Sequence, residues 1–380
     1  MKRFFEVAGD ASTRAEAQGA FARDCIAPAC DALATLPLVP RWMPGASWVV
    51  RTTAQAAGAM YLGRHRRLLA SRRDGEPLAM VEGLARGAAV SPSLIYGLNA
   101  FELESAHIGY RTGCTSLGLT GDHTRDGLPR LVYNHDFPPA FEPFLCLRKS
   151  RPSRGLAALA VTYPTLVGAI AGVNEAGLAI SYNQAYATDL ERGRPATFVT
   201  FAVQECLDGC HDVEEAVAHL LSLEVASGAM VTLVDAAGGR AVVELSGTQR
   251  QRRDPDGSIL YTFNKYRLPT MTPVEIPVGA ITTGLAAGYD VHRCNLTRQA
   301  RFLALDHPRR DDASLLQLMA DHEDGAGSED TICRHDDPLS ETIMTAIINP
   351  VERSMSVLFG RPCREQPTRY TLTEATSVAA

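Results

Sequence analysis

"GCTSLGLTGDHTRDGLPRLVYNHDF", residues 113–137, holds two short apolar runs with glycine and aspartate between them. Runs of this kind bounded by turn residues predict two β-strands, over 114–120 and 129–137. Cys114 stands at the head of the first strand, directly after Gly113, and Asn134-His135-Asp136 closes the second. Upstream, to about Arg111, the texture is helical. The Ala-rich stretch 11–36 repeats apolar residues at helical spacing. Residues 74–90 and 91–105 predict two more helices, the second opened by Ser91-Pro92, a cap followed by proline. Residues 36–48 carry three prolines and a glycine and predict a loop.

Downstream, strands are predicted over 155–164, 167–174, 177–183, 228–246 and 257–264. Helices are predicted near 214–223, at 295–306 and at 312–322, and a last strand pair over 341–360 turns at Asn349-Pro350. A helical leader followed by strands, helices and strands predicts an α+β sandwich, two packed sheets with helices outside.

The chain has 380 residues, 46% hydrophobic and 21% charged, which is enough apolar side chain for a full core. A net charge of −6 builds no basic groove, so no nucleic-acid partner is expected. No run of about 18 apolar residues predicts a membrane span. The N-terminus turns polar after a few residues, unlike a secretory signal. Nine cysteines, an odd count in a long chain, do not read as a disulfide scaffold, so a reducing, cytoplasmic location is expected. Cys206 and Cys210, with His211, lack a second Cys/His pair nearby and read as buried thiols at a helix end.

Cys114 needs its thiolate to attack a carbonyl, and a thiol of pKa ~8.5 must lose its proton to something. Histidine is the usual base, but none of the ten histidines lies in an obvious catalytic signature. A cut between Gly113 and Cys114 would supply another base. The new α-amine, of intrinsic pKa about 7.7–8.0, would sit on the nucleophile's own residue. Glycine suits such a cut, because without a Cβ the thiol can reach its carbonyl in a strained turn. Read singly, each piece also fits a plain structural role. Asn134 and Asp136 also fit a turn, 172–178 a hairpin, and Arg298 a solvated charge on a helix face.

Read in order, Gly113-Cys114-Thr115-Ser116, Asn134-His135-Asp136, GVNEAGLAISYN, YTFNKY, NLTRQARFLALD, MADH followed by TICRH, and TAIINPVERSMSVLFGRPC resemble the cysteine N-terminal-nucleophile hydrolases. Within them the chain is similar to the acyl-coenzyme A:6-aminopenicillanic acid (isopenicillin N) acyltransferase family, over nearly its whole length. The resemblance implies a proenzyme that cleaves itself before the nucleophile, an αββα core of two antiparallel sheets, and chemistry on linear amide bonds. It places the cleavage site at Gly113 and Cys114, with Cys114 the nucleophile. Asp136 falls on the carboxylate beside the new amine, Asn264 on the amide that completes the oxyanion hole, and Arg298 on the first Arg of a Ser/Thr-Arg-x-x-Arg pattern. Ser116, Asn134, His135 and Asn183 are candidate pocket positions, and His135 stands where the family often has an aromatic. Cys333 and Cys363 are expected to be structural or pocket-lining, and 309–312 a solvated loop.

The expectation is a self-processing amidohydrolase or acyltransferase working through an acyl-thioester on Cys114. Its two chains, a mainly helical 1–113 and a catalytic core 114–380, would stay associated around a small-molecule amide. Hydrolase and transferase share every residue; a transferase would add an acyl-coenzyme A cosubstrate, and no other cofactor or metal is expected. A homo-oligomer is left open. The alternative is an uncleaved, non-catalytic scaffold of the same fold. A metallohydrolase would have to use Asp122, His123, His135 and Asp136.

Overall fold

The computed structural model describes residues 2–36, 46–101, 113–191, 193–256, 259–282, 287–305, 309–323, 325–335 and 339–373. Fourteen strands appear among them: β1 (Phe4–Gly9), β2 (Gly113–Leu119), β3 (Arg130–Phe137), β4 (Cys146–Pro152), β5 (Ala158–Thr162), β6 (Ala171–Asn174), β7 (Leu178–Ala185), β8 (Gly228–Asp235), β9 (Arg240–Leu245), β10 (Arg250–Arg253), β11 (Ile259–Thr262), β12 (Glu341–Asn349), β13 (Ser354–Phe359) and β14 (Thr368–Thr371). The described helices are α1 (Ala11–Ala22), α2 (Ile26–Thr35), α3 (Ala46–Ser71), α4 (Glu76–Ala88), α5 (Pro92–Asn99), α6 (Val199–Gly209), α7 (Val213–Leu221), α8 (Val291–Ala304) and α9 (Asp312–Met319).

One sheet runs β1-β4-β5-β6-β7-β8-β9-β10 and the other β11-β2-β3-β12-β13-β14. The pairs are antiparallel except β1 with β4. The central strands β2 and β3 of one sheet pack face to face on β7 and β8 of the other. Period-two alternation sorts their side chains. Ala346 and Ile348 of β12 point into the inter-sheet core with Leu131, Leu159, Val173 and Ala179, while Ile347 points outward. Outside the first sheet, Val203 and Leu207 of α6 and Val217 and Leu220 of α7 cover Ile180, Val231 and Val243. Outside the second, Phe302 of α8 and Leu315 and Leu318 of α9 cover Leu117, Leu119 and Val132. The result is the expected α+β sandwich of four layers.

The leader is helical, but it also feeds the sheet. β1 joins the edge of the first sheet in parallel with β4. α1 lies on α4 at glycine-permitted distance: a Cβ on Gly87 would meet the Glu16 carbonyl oxygen at 1.9 Å. Other features escaped the sequence reading as well. β4 carries Arg148 and Lys149 and reads as polar, yet both are buried. Arg148 donates to Gln18 Oε1, the Gly168 carbonyl and Gln204 Oε1. α3 is 26 residues long and spreads its alanines and arginines around the helix without a clean stripe. Residues 309–312 are solvated as expected, but they also start a helix: Asp311 caps α9 by accepting from Ser314 N–H at 2.9 Å, and it pairs with Arg125 at 2.6 Å. The predicted loop 36–48 lies largely outside the described residues, as does 102–105 of the predicted helix. Among the described residues, no helix is long and apolar enough to cross a membrane.

Candidate active site

β2 and β3 lie side by side with Gly113 opposite Asp136 and Cys114 opposite His135. Alternation sends Cys114, Tyr133 and His135 to the inter-sheet face, and Asn134 and Asp136 to the helix-covered face. The thiol and the carboxylate are thus on opposite sides of one ribbon, with the 113–114 backbone between them.

On the inner face, Cys114 Sγ lies 3.4 Å from Tyr133 Oη and 3.9 Å from His135 Nδ1. Tyr133 donates its only hydroxyl proton to the Tyr182 carbonyl at 2.9 Å. Its oxygen is therefore left to accept, from the thiol and from His135 Nδ1–H at 3.0 Å. That fixes the proton of His135 on Nδ1 and leaves Nε2 to accept from Tyr163 Oη at 3.2 Å. Burial pushes His135 down to about 3, so the ring is neutral across the working pH range. Burial pushes the Cys114 thiol up to about 11, with the Asp136 charge adding to it and Arg298 opposing. In the intact chain Cys114 is a thiol.

The thiol sits at the wall of a cavity of about 140 Å³. Its lining is mostly aliphatic and aromatic, including Phe137, Phe141, Phe144 and Ile170. The leader supplies part of the wall through Ala29, Leu33, Leu98 and Phe101.

On the outer face, Asp136 Oδ1 accepts from Thr342 Oγ1 at 2.7 Å. Its Oδ2 is buried without a hydrogen-bond partner, 3.8 Å from Arg298 Nη1. Burial pushes Asp136 up to about 6, although Arg334, Arg298 and Thr342 all act to lower it. Arg298 is fully buried, with its guanidinium 5.0 Å from the centre of the Phe263 ring. Its Nη1 donates to the Cys114 carbonyl at 3.0 Å and its Nη2 to Asn264 Oδ1 at 2.9 Å. Asn264 Oδ1 also accepts the Cys114 N–H at 2.9 Å, and Nδ2 donates to the Gln184 carbonyl at 2.8 Å. Two donors facing one end of the amide identify that end as the carbonyl.

The structure thus brings Cys114, Asp136, Asn264, Arg298 and His135 together around Gly113. It places Ser116, Asn134 and Asn183 elsewhere, since none of them lines the cavity. Ser116 Oγ meets Ser181 Oγ at 2.9 Å and donates to Asn183 Oδ1. Asn183 Nδ2 donates to the Phe263 carbonyl at 3.0 Å, so this trio ties the two sheets together. Asn134 anchors the outer layer through the Met319 and Ile332 carbonyls and Thr345. Asn134 and Asp136 lie within a buried strand rather than a turn. The 172–178 segment is a hairpin whose turn faces away; the far end of β7, at Tyr182 and Gln184, reaches the cavity. His135 belongs to the thiol network, and His123 sits in a short turn whose carbonyl accepts from Arg310 N–H at 3.1 Å.

Two residues escaped the sequence reading. Tyr133 stands two positions before His135, so strand periodicity alone puts it on the same face. Arg334 is buried and donates to Ser340 Oγ at 2.9 Å and Tyr289 Oη at 3.3 Å. A Cβ on Gly113 would stand 2.0 Å from Arg334 Nη1 and 2.7 Å from Asp136 Oδ2. Any larger residue there would have to displace the ends of these two side chains.

The family model described as acyl-coenzyme A:6-aminopenicillanic acid acyl-transferase matches residues 123–364, more than half of the chain. No curated protein matches by sequence. Among solved structures, the chain is similar to the N-acylethanolamine-hydrolyzing acid amidase ortholog of Caenorhabditis elegans, at 13% identity over 63% of this chain and 93% of that one, TM-score 0.44. It is similar to a variant of conjugated bile acid hydrolase from Clostridium perfringens, at 16% identity over 70% and 100%, TM-score 0.41. It is also similar to penicillin V acylase from Agrobacterium tumefaciens, at 14% identity over 67% and 84%, TM-score 0.41.

Proposed function

The chain belongs to the acyl-coenzyme A:6-aminopenicillanic acid acyl-transferase family, and from that membership we propose a self-processing cysteine amidohydrolase for linear amides with an apolar acyl group. The observation that carries this reading is the position of Cys114: its sulfur borders an apolar cavity while its own nitrogen is held by Asn264.

Maturation begins when Cys114 Sγ attacks the Gly113 carbonyl carbon. The S–C bond forms, the Gly113–Cys114 C–N bond breaks, and the Cys114 nitrogen gains a proton to become an amine. Water then opens the thioester, leaving a Gly113 carboxylate and a free thiol. In the mature protein the α-amine takes the thiol proton, the thiolate attacks the substrate carbonyl, and the ammonium returns the proton to the departing amine. Water releases the acid from the acyl-thioester. Asn264 Oδ1 orients the amine, and its second Nδ2 hydrogen is the side-chain donor for the oxyanion. Such donors are worth ~2.7–4 kcal/mol in other enzymes. Asp136, with its unpartnered oxygen toward Gly113, receives the new ammonium. Arg298 and Arg334 offset the burial of that carboxylate.

The leader stays with the core in this scheme, because it forms cavity wall and sheet edge alike. A transferase reaction would pass the same thioester to an amine, with acyl-coenzyme A as donor. The cysteines form no disulfide among the described residues, which fits a reducing, cytoplasmic setting.

The test is amine release by the purified protein from amides of one amine that differ in acyl group: phenylacetyl, octanoyl, acetyl and succinyl. Fast release from the first two is expected. Release confined to the acetyl or succinyl amide, or none from any, would overturn the reading.

A further inference from the structure

Arg334 is flanked in sequence by Cys333 and His335, and behind it lies a second cluster of thiols and imidazoles. His335 Nε2 is 3.2 Å from Cys333 Sγ and 3.3 Å from Cys363 Sγ. The His322 ring meets His335 edge-on with centroids 5.2 Å apart. The ligand-type atoms of His322, His335 and Cys363 lie within 4.8 Å of one another, the one such grouping among the described residues. His322 Nδ1 is buried without a hydrogen-bond partner.

We propose that Cys333, Cys363, His335 and His322 form a structural site for a zinc-type divalent ion. With Zn–S about 2.3 Å and Zn–N about 2.0–2.1 Å, neighbouring ligand atoms of a tetrahedral site stand roughly 3.4–3.8 Å apart. Both sulfur–nitrogen separations at His335 are already close to that spacing, and His322 has to close on His335 and Cys363 by only about 1 Å. Two thiolates and two imidazoles are the donor set that zinc takes in closed sites, with no position left for substrate.

The protons balance. Arg361 Nη1 donates to His335 Nδ1 at 3.2 Å, so the metal-free ring carries its proton on Nε2, aimed between the sulfurs. Binding shifts that proton to Nδ1 and releases the two thiol protons to solvent. Arg361 lets go of the ring and remains on Glu341 through Nε at 3.1 Å and Nη2 at 2.6 Å. A bound cation deprotonates a coordinating thiol outright. The ion would pin the backbone on both sides of Arg334 and so fix the guanidinium against Gly113 and Asp136.

The experiment is zinc content of the full-length protein after zinc loading and dialysis, with Co²⁺ loading as a spectroscopic check. About one zinc per chain is expected, with a thiolate-to-Co²⁺ charge-transfer band and a melting temperature lowered by chelation. Cys363→Ser and His322→Gln should each weaken binding at least about 100-fold. Cys210→Ala, in the other thiol pair, should leave it unchanged. Substoichiometric zinc without a cobalt–thiolate band, equal zinc in all three variants, or a Cys333–Cys363 disulfide in a non-reducing peptide map would each overturn the proposal.

Discussion

Asn264 Oδ1 accepts two hydrogen bonds of 2.9 Å, one from the Cys114 amide and one from Arg298 Nη2. The nitrogen that would become the catalytic amine is therefore held by an oxygen that a buried arginine keeps in place. The same guanidinium holds the Cys114 carbonyl through Nη1 at 3.0 Å. Lysine carries its three N–H donors on one nitrogen and lacks the fork with which the guanidinium spans both acceptors. Arg298→Lys is expected to fold and to lose about 10- to 100-fold in kcat, as the loss of one charge-assisted hydrogen bond implies. Steady-state kinetics beside a thermal melt checks this; an unchanged kcat removes Arg298 from the machinery.

Gly113→Ala tests the crowding before the cleaved bond. The added methyl meets Arg334 and Asp136 closer than any Cβ contact allows. The Arg334 guanidinium and the Asp136 carboxyl must move aside to admit it, which disturbs the groups around the 113–114 bond. Intact mass is expected to find a single chain, with circular dichroism showing a retained fold. Processing at the wild-type rate would mean that Gly113 is dispensable.

Asp136→Asn tests the buried carboxyl through pH. The folded chain holds Asp136 at about 6, above the ~3.9 of an unfolded aspartate. Between these values the folded state keeps a proton that the unfolded state has lost, so stability falls as pH rises through this window and levels off above it. In the Cys114→Ala chain, which keeps its peptide bond, the asparagine variant should lose that slope, a difference on the order of 2 kcal/mol between pH 4 and 7. Urea titrations across that range measure it. Parallel stability profiles would show that the carboxyl titrates as in water.

The strands around Cys114 were legible because their apolar runs and turn residues are local signals. Asn349-Pro350 marked the last hairpin in the same way. β4 was not legible, because Arg148 and Lys149 look solvated until Gln18 and Gln204 arrive from distant segments. Arg298 read equally well as a surface charge, for the same reason: its partners Asn264 and Cys114 are far away in sequence. The family resemblance marked Ser116 and Asn183 as pocket candidates, but only the packing of β7 on β2 shows them spent on each other. Arg334 and the ligands at 322, 333, 335 and 363 come from separate segments, so no spacing rule gathers them.

Arg14 tests how the leader is held. Its Nη2 pairs with Asp208 at 3.1 Å, both fully enclosed, and its Nη1 donates to Ser150 Oγ at 2.7 Å. Arg14→Ala leaves the aspartate buried without its charge partner, at a cost of about 3–5 kcal/mol. The cleaved chains should then separate at lower urea, as read by size-exclusion chromatography. Separation at the wild-type midpoint would show that α1 contributes little to the association.

The central claim is that Cys114 frees its own amine and then uses it. Intact mass and amide hydrolysis, measured together on the wild type and on Cys114→Ala, address it most directly. The account expects two associated wild-type chains, 1–113 and 114–380, with hydrolytic activity, and one inactive full-length chain for the alanine variant. An active wild type with the Gly113–Cys114 bond intact, or cleavage or hydrolysis persisting in Cys114→Ala, would contradict it.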